Sequence, residues 1–269
     1  MKREKFSVNC SIIFTELPLL ERPAAAAAAG FDAVEFWWPF AEAKPDREVM
    51  DSFIQSVTTA GVSLTGLNFF AGDMSAGERG ILSSPSRQQE FEENLEAVRY
   101  MADKTGCRVF NALYGNRLPA ESPLVQDEVA VARLSQLGKF TSETGSVVVL
   151  EPLSALPTYP LQTAHQAMDV VEAVRASGFT TNVKLLADLY HLAVNGDDVS
   201  NVIATYASEI GHVQIADAPG RNEPGTGELP IVDWFDELER VGYDGLIGLE
   251  YRPSTTSTNA FEWIPDTSS

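Results

Sequence analysis

Cysteine, histidine and basic side chains are all scarce in this chain, and each scarcity excludes something. Only two cysteines occur in 269 residues. Cys10 and Cys107 each sit in apolar, strand-like sequence, where a free thiol packs as a small hydrophobe, so no disulfide is expected. The three histidines, His165, His191 and His212, are too few for a His-rich site holding several zinc ions. Acids outnumber bases 38 to 19, for a formal net charge of −19. A polyanion such as DNA needs Lys and Arg to displace its counterions, so nucleic acid is not an expected partner. No basic cluster or basic amphipathic helix marks a membrane surface. No apolar run approaches the roughly twenty residues of a spanning helix. The opening MKREKFSVNC lacks the apolar core of a secretion signal, and the expected location is the cytoplasm.

What is present is a globular pattern. The chain is 44% apolar, ample for a core, and no linker or low-complexity block divides it, so residues 1–269 are expected to form a single domain. Short apolar runs alternate with segments of helical spacing. Eight strands are predicted: Phe6–Ser11, Ala33–Trp37, Ser63–Asn68, Arg108–Leu113, Ser146–Glu151, Val183–Asp188, His212–Ile215 and Gly245–Glu250. Seven helices join them: Leu17–Ala29, Arg47–Ala60, Ser86–Thr105, Val125–Thr144, Thr163–Ser177, Val199–Ser208 and Val232–Val241. Glycine follows most of these helices, as in VTTAGVSL and SETGSVVVL, where it ends a helix at little steric cost. Strands apolar throughout are covered on both faces, as parallel strands with crossover helices are. Eight of them, with no GxGxxG after the first, favour an α/β fold of the (β/α)8 TIM barrel type over an open doubly wound sheet. The tail Arg252–Ser269 is rich in Pro, Ser and Thr, so the eighth helix is expected to be short or absent, and a second copy of the chain is a candidate to cover the gap.

The run SVVVLEPL ends a greasy strand on Glu151, and GLIGLEYRP does the same with Glu250. In a barrel, the carboxyl ends of strands line the face where chemistry sits. Asp188 and Gln214 end or nearly end two further strands, so four oxygen-bearing side chains from strands five to eight converge on the mouth. A lone strand-end acid is commonly a helix cap or the partner of an arginine. Three carboxylates brought together repel unless a cation or shared protons compensate, and an all-oxygen set suits a hard ion, Mg2+ or Mn2+, better than zinc.

The stretches FSVNCSIIFTELPLLERPAAAAAAGFDAVEFWWPF, LEPL, LLADLYHLAV, IGHVQIADAPGRNEPGTGEL and VGYDGLIGLEYRP resemble the hydroxypyruvate isomerase family of the xylose-isomerase-like barrels, across nearly the whole chain. The resemblance implies one divalent metal held by Glu151, Asp188, Gln214 and Glu250, with Glu151 and Glu250 also matching the family's proton-transferring pair. The implied reaction interconverts hydroxypyruvate and tartronate semialdehyde (2-hydroxy-3-oxopropanoate). Relatives often continue LEPLN, and Ser154 replaces that Asn here, which leaves the substrate open.

Such a reaction takes a proton from carbon, holds an enediolate and returns the proton to the neighbouring carbon. A metal stabilises the enediolate as a Lewis acid, and two carboxylates serve as base and acid. His191 stands to contact a substrate oxygen or to be satisfied by backbone; His212 reads as structural and His165 as a surface residue. Arg221 is the candidate partner for a substrate carboxylate, with Glu223 either beside it at the substrate or holding it in a salt bridge. Trp37, Trp38 and Phe69 form either an apolar wall or ordinary packing. The alternatives are an isomerase of a four-carbon 2-oxo acid (2-oxo-tetronate), a ketose 3-epimerase or dehydratase on the same barrel, and a non-catalytic binding barrel.

Overall fold

Eight short parallel strands close on themselves in chain order in the computed structural model, whose described residues are 1–178 and 182–265. They are β1 (Phe6–Asn9), β2 (Ala33–Phe36), β3 (Ser63–Asn68), β4 (Val109–Asn111), β5 (Val147–Leu150), β6 (Val183–Asp188), β7 (Ile210–Ile215) and β8 (Ile247–Leu249). Ile247 lies opposite Phe6 and Leu249 opposite Val8, so the last strand seals against the first. The expected barrel is present, with several strands trimmed at their ends. β7 instead begins two residues before its expected start. Gly211 hid this, because it reads as a breaker; here a Cβ would lie 2.8 Å from Val149 and 2.9 Å from Lys184, so glycine allows a close approach between strands.

Among the described residues eight α-helices surround the sheet: α1 (Arg22–Ala28), α2 (Arg47–Ala60), α3 (Gln88–Thr105), α4 (Pro123–Thr144), α5 (Ala164–Ala176), α6 (Leu189–Asn195), α7 (Val199–Thr205) and α8 (Ile231–Arg240). Gly61, Gly106 and Gly145 end three of them at φ of 74°, 75° and 65°, the left-handed conformation their positions predicted. α1 starts five residues later than expected: Pro18 precedes a separate 3-10 turn at Leu19–Glu21, and Pro23, which lacks an N–H, sits in the first turn of the helix. α6 was not expected, and at seven residues it is held by its ends, with Asp188 capping one and Gly196 closing the other.

The core lies between the apolar outer face of the barrel and these helices. After β8 the described residues form only a 3-10 turn, Asn259–Phe261, in place of the helix that would follow the last strand; residues 266–269 of the predicted tail lie outside the described residues. The tail's own aromatic rings fill the seam. Trp263 packs edge-on against Phe6 at 5.3 Å and stacks on Phe235 at 6.2 Å, while Phe261 meets Phe31 at 4.7 Å. The gap that suggested a second copy is therefore closed from within. Both cysteines are buried and free, and burial pushes the Cys107 thiol up to about 12. Among the described residues no helix is long and apolar enough to cross a membrane.

Candidate active site

Glu151, Asp188, Gln214 and Glu250 are each no more than 3% exposed at the carboxyl end of the barrel, and hydrogen bonds divide their oxygens into held and unheld. One oxygen of Glu151, Oε2, accepts from Asn111 Nδ2 at 2.6 Å, leaving Oε1 with no hydrogen-bond partner. Asp188 Oδ1 caps α6, accepting from the backbone N–H of Tyr190 at 2.9 Å and of His191 at 3.3 Å, and leaves Oδ2 without one. The cap and the candidate ligand are thus the same residue, acting through different oxygens. Gln214 donates Nε2 to Glu35 Oε1 at 2.7 Å and to Glu250 Oε2 at 2.6 Å, and its Oε1 is buried without a hydrogen-bond partner. Glu250 differs from the other three. Oε2 also accepts from Asn9 Nδ2 at 2.8 Å, and Oε1 is ion-paired to Arg221 Nη2 at 2.6 Å.

Burial holds the Glu151 carboxyl well above the usual carboxylate range, and Glu250 and Asp188 push it further. Burial raises Glu250 as well; Arg221 opposes the rise, while Asp188 and Glu35 add to it. Were all three carboxylates ionised, one guanidinium would leave two negative charges uncompensated in a buried mouth, which is why their protons are held so firmly. Glu151, Asp188 and His191 bring one ligand-type atom each within 4.8 Å of one another. At that separation two unit charges repel by about 3–4 kcal/mol for an effective dielectric of 20. The unpartnered oxygens and the crowding of carboxylates both fit a hard divalent cation.

His191 is better read as a donor than as a ligand. The backbone N–H of Ser154, which can only donate, reaches His191 Nδ1 at 3.0 Å, and the Ser154 hydroxyl lies 2.7 Å from the same nitrogen. Burial pushes His191 down to about 4; Asp188 pulls the other way and Arg221 adds to the drop. A neutral ring with Nδ1 accepting carries its proton on Nε2, which faces Asp188 Oδ2 at 3.6 Å and Glu151 Oε1 at 3.9 Å. The ring therefore presents an N–H to the mouth. The backbone N–H of Ser154 sets this tautomer, and its hydroxyl, where relatives often carry Asn, sits beside the same nitrogen.

The loop after β7 is built on Asp217, whose two oxygens accept four backbone N–H groups: Ala218 at 2.8 Å, Leu229 at 3.0 Å, Gly225 at 2.8 Å and Gly227 at 2.9 Å. A Cβ on Gly227 would fall 2.3 Å from the Ala218 carbonyl oxygen, which explains a glycine there. Arg221 sits on this loop at φ 58°, a left-handed conformation uncommon for arginine. Its guanidinium is 3.6 Å from Asp188 Oδ2 and its buried Nε has no hydrogen-bond partner. Glu223 does not hold Arg221. Its carboxylate accepts from the Ser254 backbone N–H at 2.9 Å and from the Ser254 hydroxyl, because the loop turns that side chain toward the segment after β8. Glu223 is also absent from the lining of the mouth, a cavity of about 610 Å3 bordered by Trp37, Glu151, His191, Arg221, Glu250 and Arg252. Trp37 reaches this cavity, whereas Trp38 and Phe69 pack in the core; His165 is exposed on α5.

Sequence reasoning missed Asn9, Glu35 and Asn111. Asn9 and Asn111 close β1 and β4 as Asp188 closes β6, and Glu35 is a charge inside the apolar strand AVEF. Each signal was legible. His212, which reads from the sequence as a structural residue at a strand start, lies inside β7 with Nε2 2.7 Å from Glu35 Oε2.

Residues 23–267 match a family model described as xylose isomerase-like TIM barrel. A Streptomyces coelicolor protein named "Putative hydroxypyruvate isomerase" is 47% identical over 267 residues, covering 97% of this chain and 96% of its own. The Escherichia coli protein named "Hydroxypyruvate isomerase" is 31% identical over 262 residues, covering 97% and 98%. A crystal structure described as AP endonuclease, family 2, from Brucella melitensis superposes with a TM-score of 0.87 at 31% identity, over 98% of each chain.

Proposed function

The chain belongs to the hydroxypyruvate isomerase family of xylose isomerase-like TIM barrels, and from that premise we propose that it interconverts hydroxypyruvate and 2-hydroxy-3-oxopropanoate by proton transfer between neighbouring carbons. The observation that carries the proposal is the group of unpartnered oxygens on Glu151, Asp188 and Gln214, buried beside an N–H from His191. A bound Mg2+ or Mn2+ would supply Lewis-acid stabilisation of the enediolate there, held by these three residues and Glu250.

The chain's own groups do the rest. Glu151 and Glu250 carry the proton off one carbon and onto the next, Asn111 fixing the first and Asn9 with Gln214 the second. His191 Nε2–H donates to a substrate oxygen on which charge develops. Arg221 takes the substrate carboxylate through its unpartnered Nε and the Nη2 now on Glu250. Binding of that carboxylate would draw Nη2 away and release Glu250 Oε1 for chemistry. Trp37 walls one side against water.

A four-carbon 2-oxo acid is the second reading, favoured by a Cupriavidus necator relative named "2-oxo-tetronate isomerase", 30% identical over 264 residues and covering 97% of each chain. An endonuclease activity, the description given to the Brucella structure, fits poorly. The net charge is −19, His165 is exposed and His212 is paired to Glu35, which leaves only His191 at the mouth. The test is turnover of hydroxypyruvate in D2O with added Mn2+ or Mg2+, following deuterium into the product by NMR. Glu151→Gln and Glu250→Gln are each expected to lose about 10²–10⁴-fold in kcat. Near-parental rates in either variant remove that residue from the mechanism. Turnover of free hexuloses with none of three- or four-carbon acids would replace the isomerase reading with an epimerase.

A further inference from the structure

Beneath the mouth lie two buried residues, Glu35 and His212, that the mechanism above leaves idle. Glu35 on β2 is 2% exposed, and its Oε2 lies 2.7 Å from His212 Nε2. Oε1 accepts from Gln214 Nε2 at 2.7 Å and from Asn9 Nδ2 at 3.1 Å. The same two amide nitrogens donate onward to Glu250 Oε2, at 2.6 and 2.8 Å. Two amides therefore bridge Glu35 to Glu250, and both hydrogens of the Gln214 amide are committed to carboxylates.

That commitment has a geometric result. A glutamine side chain has a nitrogen and an oxygen of similar size, and its neighbours decide which way it faces. Carboxylates on both sides demand N–H, so the nitrogen is drawn inward and Oε1 is left buried with no hydrogen-bond partner. The backbone is shaped to allow it. Gly248 pairs with Gln214 across β7 and β8, and a Cβ there would sit 2.5 Å from Glu35 Oε1, 2.7 Å from Oε2 and 2.8 Å from Gln214 Cγ.

We infer that Glu35, held by His212, is a positioning residue that orients the Gln214 amide so that its oxygen faces the cation, and that fixes Glu250 through the same amides. The inference rests on the metal reading proposed above. It explains a charged residue inside the strand AVEF and the His-x-Gln spacing of β7, whose alternate side chains share one face.

The test measures Mn2+ binding to metal-stripped protein by titration calorimetry, with no substrate present. In Glu35→Gln the new amide has one acceptor and one donor end and must also satisfy His212. With its oxygen on His212 it turns an N–H toward Gln214, which flips that amide and points nitrogen at the cation. The expected loss is about 10–100-fold in Mn2+ affinity, the usual effect of removing a residue that orients a ligand. The exchange Glu35→Gln with Gln214→Glu distinguishes orientation from packing. It keeps the charge count, lets the amide at position 35 bridge His212 to position 214, and places there a carboxylate whose two oxygens need no orienting, one of them sharing a proton with Glu250 Oε2 in place of the lost N–H. Affinity should return toward the parental value.

An unchanged affinity in Glu35→Gln overturns the inference, as does a double variant that binds as weakly as the single one or does not fold. If Glu35→Gln alone fails to fold, the double variant decides by itself. Absence of Mn2+ binding by the parental protein would take down the metal reading and this inference together, whereas parental binding with an indifferent Glu35→Gln takes down this one alone.

Discussion

Titrating a divalent cation into metal-stripped protein at a series of pH values probes the buried carboxylates directly. Without a cation, Glu151 and Glu250 titrate above their ordinary range because they are buried among acids. Their folded pKa is raised, so the stability they contribute is full below about pH 4.3, the unfolded value, and drains as pH rises through the folded value. His191 runs the other way. Lowered to about 4, its contribution is full above the unfolded value of 6.5 and drains as pH falls from there. Between about pH 6.5 and 8.5 the carboxylates therefore act alone. A cation must displace any proton they hold, so each proton released steepens binding by up to about tenfold per pH unit, or about 1.4 kcal/mol. At a hundred times its Kd the cation adds about 2.7 kcal/mol of stability. With an unfolding entropy near 0.6 kcal/mol/K for a chain of this length, melting should rise by about 5 °C. Calorimetry in two buffers of different ionisation enthalpy counts the protons released. Affinity that does not change from pH 6.5 to 8.5 would refute the claim that the ion and the protons compete for the same oxygens, and no Mn2+ or Mg2+ binding at all would refute the site.

Three substitutions test the supports around the site. Ser154→Ala removes the hydroxyl from His191 but leaves the backbone N–H that sets the tautomer, so kcat should fall only by the worth of one hydrogen bond, about 3–10-fold; a far larger loss would mean the hydroxyl itself does chemistry. Asp217→Asn turns one acceptor oxygen into a donor facing backbone N–H groups, and a loss of about 2–4 kcal/mol is expected, read as a lower melting temperature and a raised KM through the displaced Arg221. Unchanged values in both would show that the loop holds its shape without Asp217. Gly248→Ala forces a methyl against the Glu35 carboxylate and should cost about 1–3 kcal/mol; an equally stable variant would contradict that close approach.

The barrel and four rim residues were legible because they obey simple rules: apolar parallel strands, glycine stops, and chemistry at strand ends. Asn9, Asn111 and Glu35 follow the same rules yet escaped, since neutral amides attract no notice among carboxylates and Glu35 sits one residue short of its strand's end. The place of Arg221 at the mouth was legible, but not its pairing with Glu250, because the loop's path depends on Asp217 gathering four N–H groups from residues up to twelve positions away. Glu223 was misplaced for the same reason. The tautomer of His191 lay beyond sequence altogether, as it is set by a backbone group 37 residues earlier.

The bond from Asn9 to Glu250 joins residues 241 apart, and β8 seals against β1. A chain emerging from the ribosome cannot complete that ring until nearly all of it has been made, so a partly synthesised chain would carry most of the sheet but no working centre. Ring closure and catalytic competence should arrive in one step, which makes turnover a readout of finished folding.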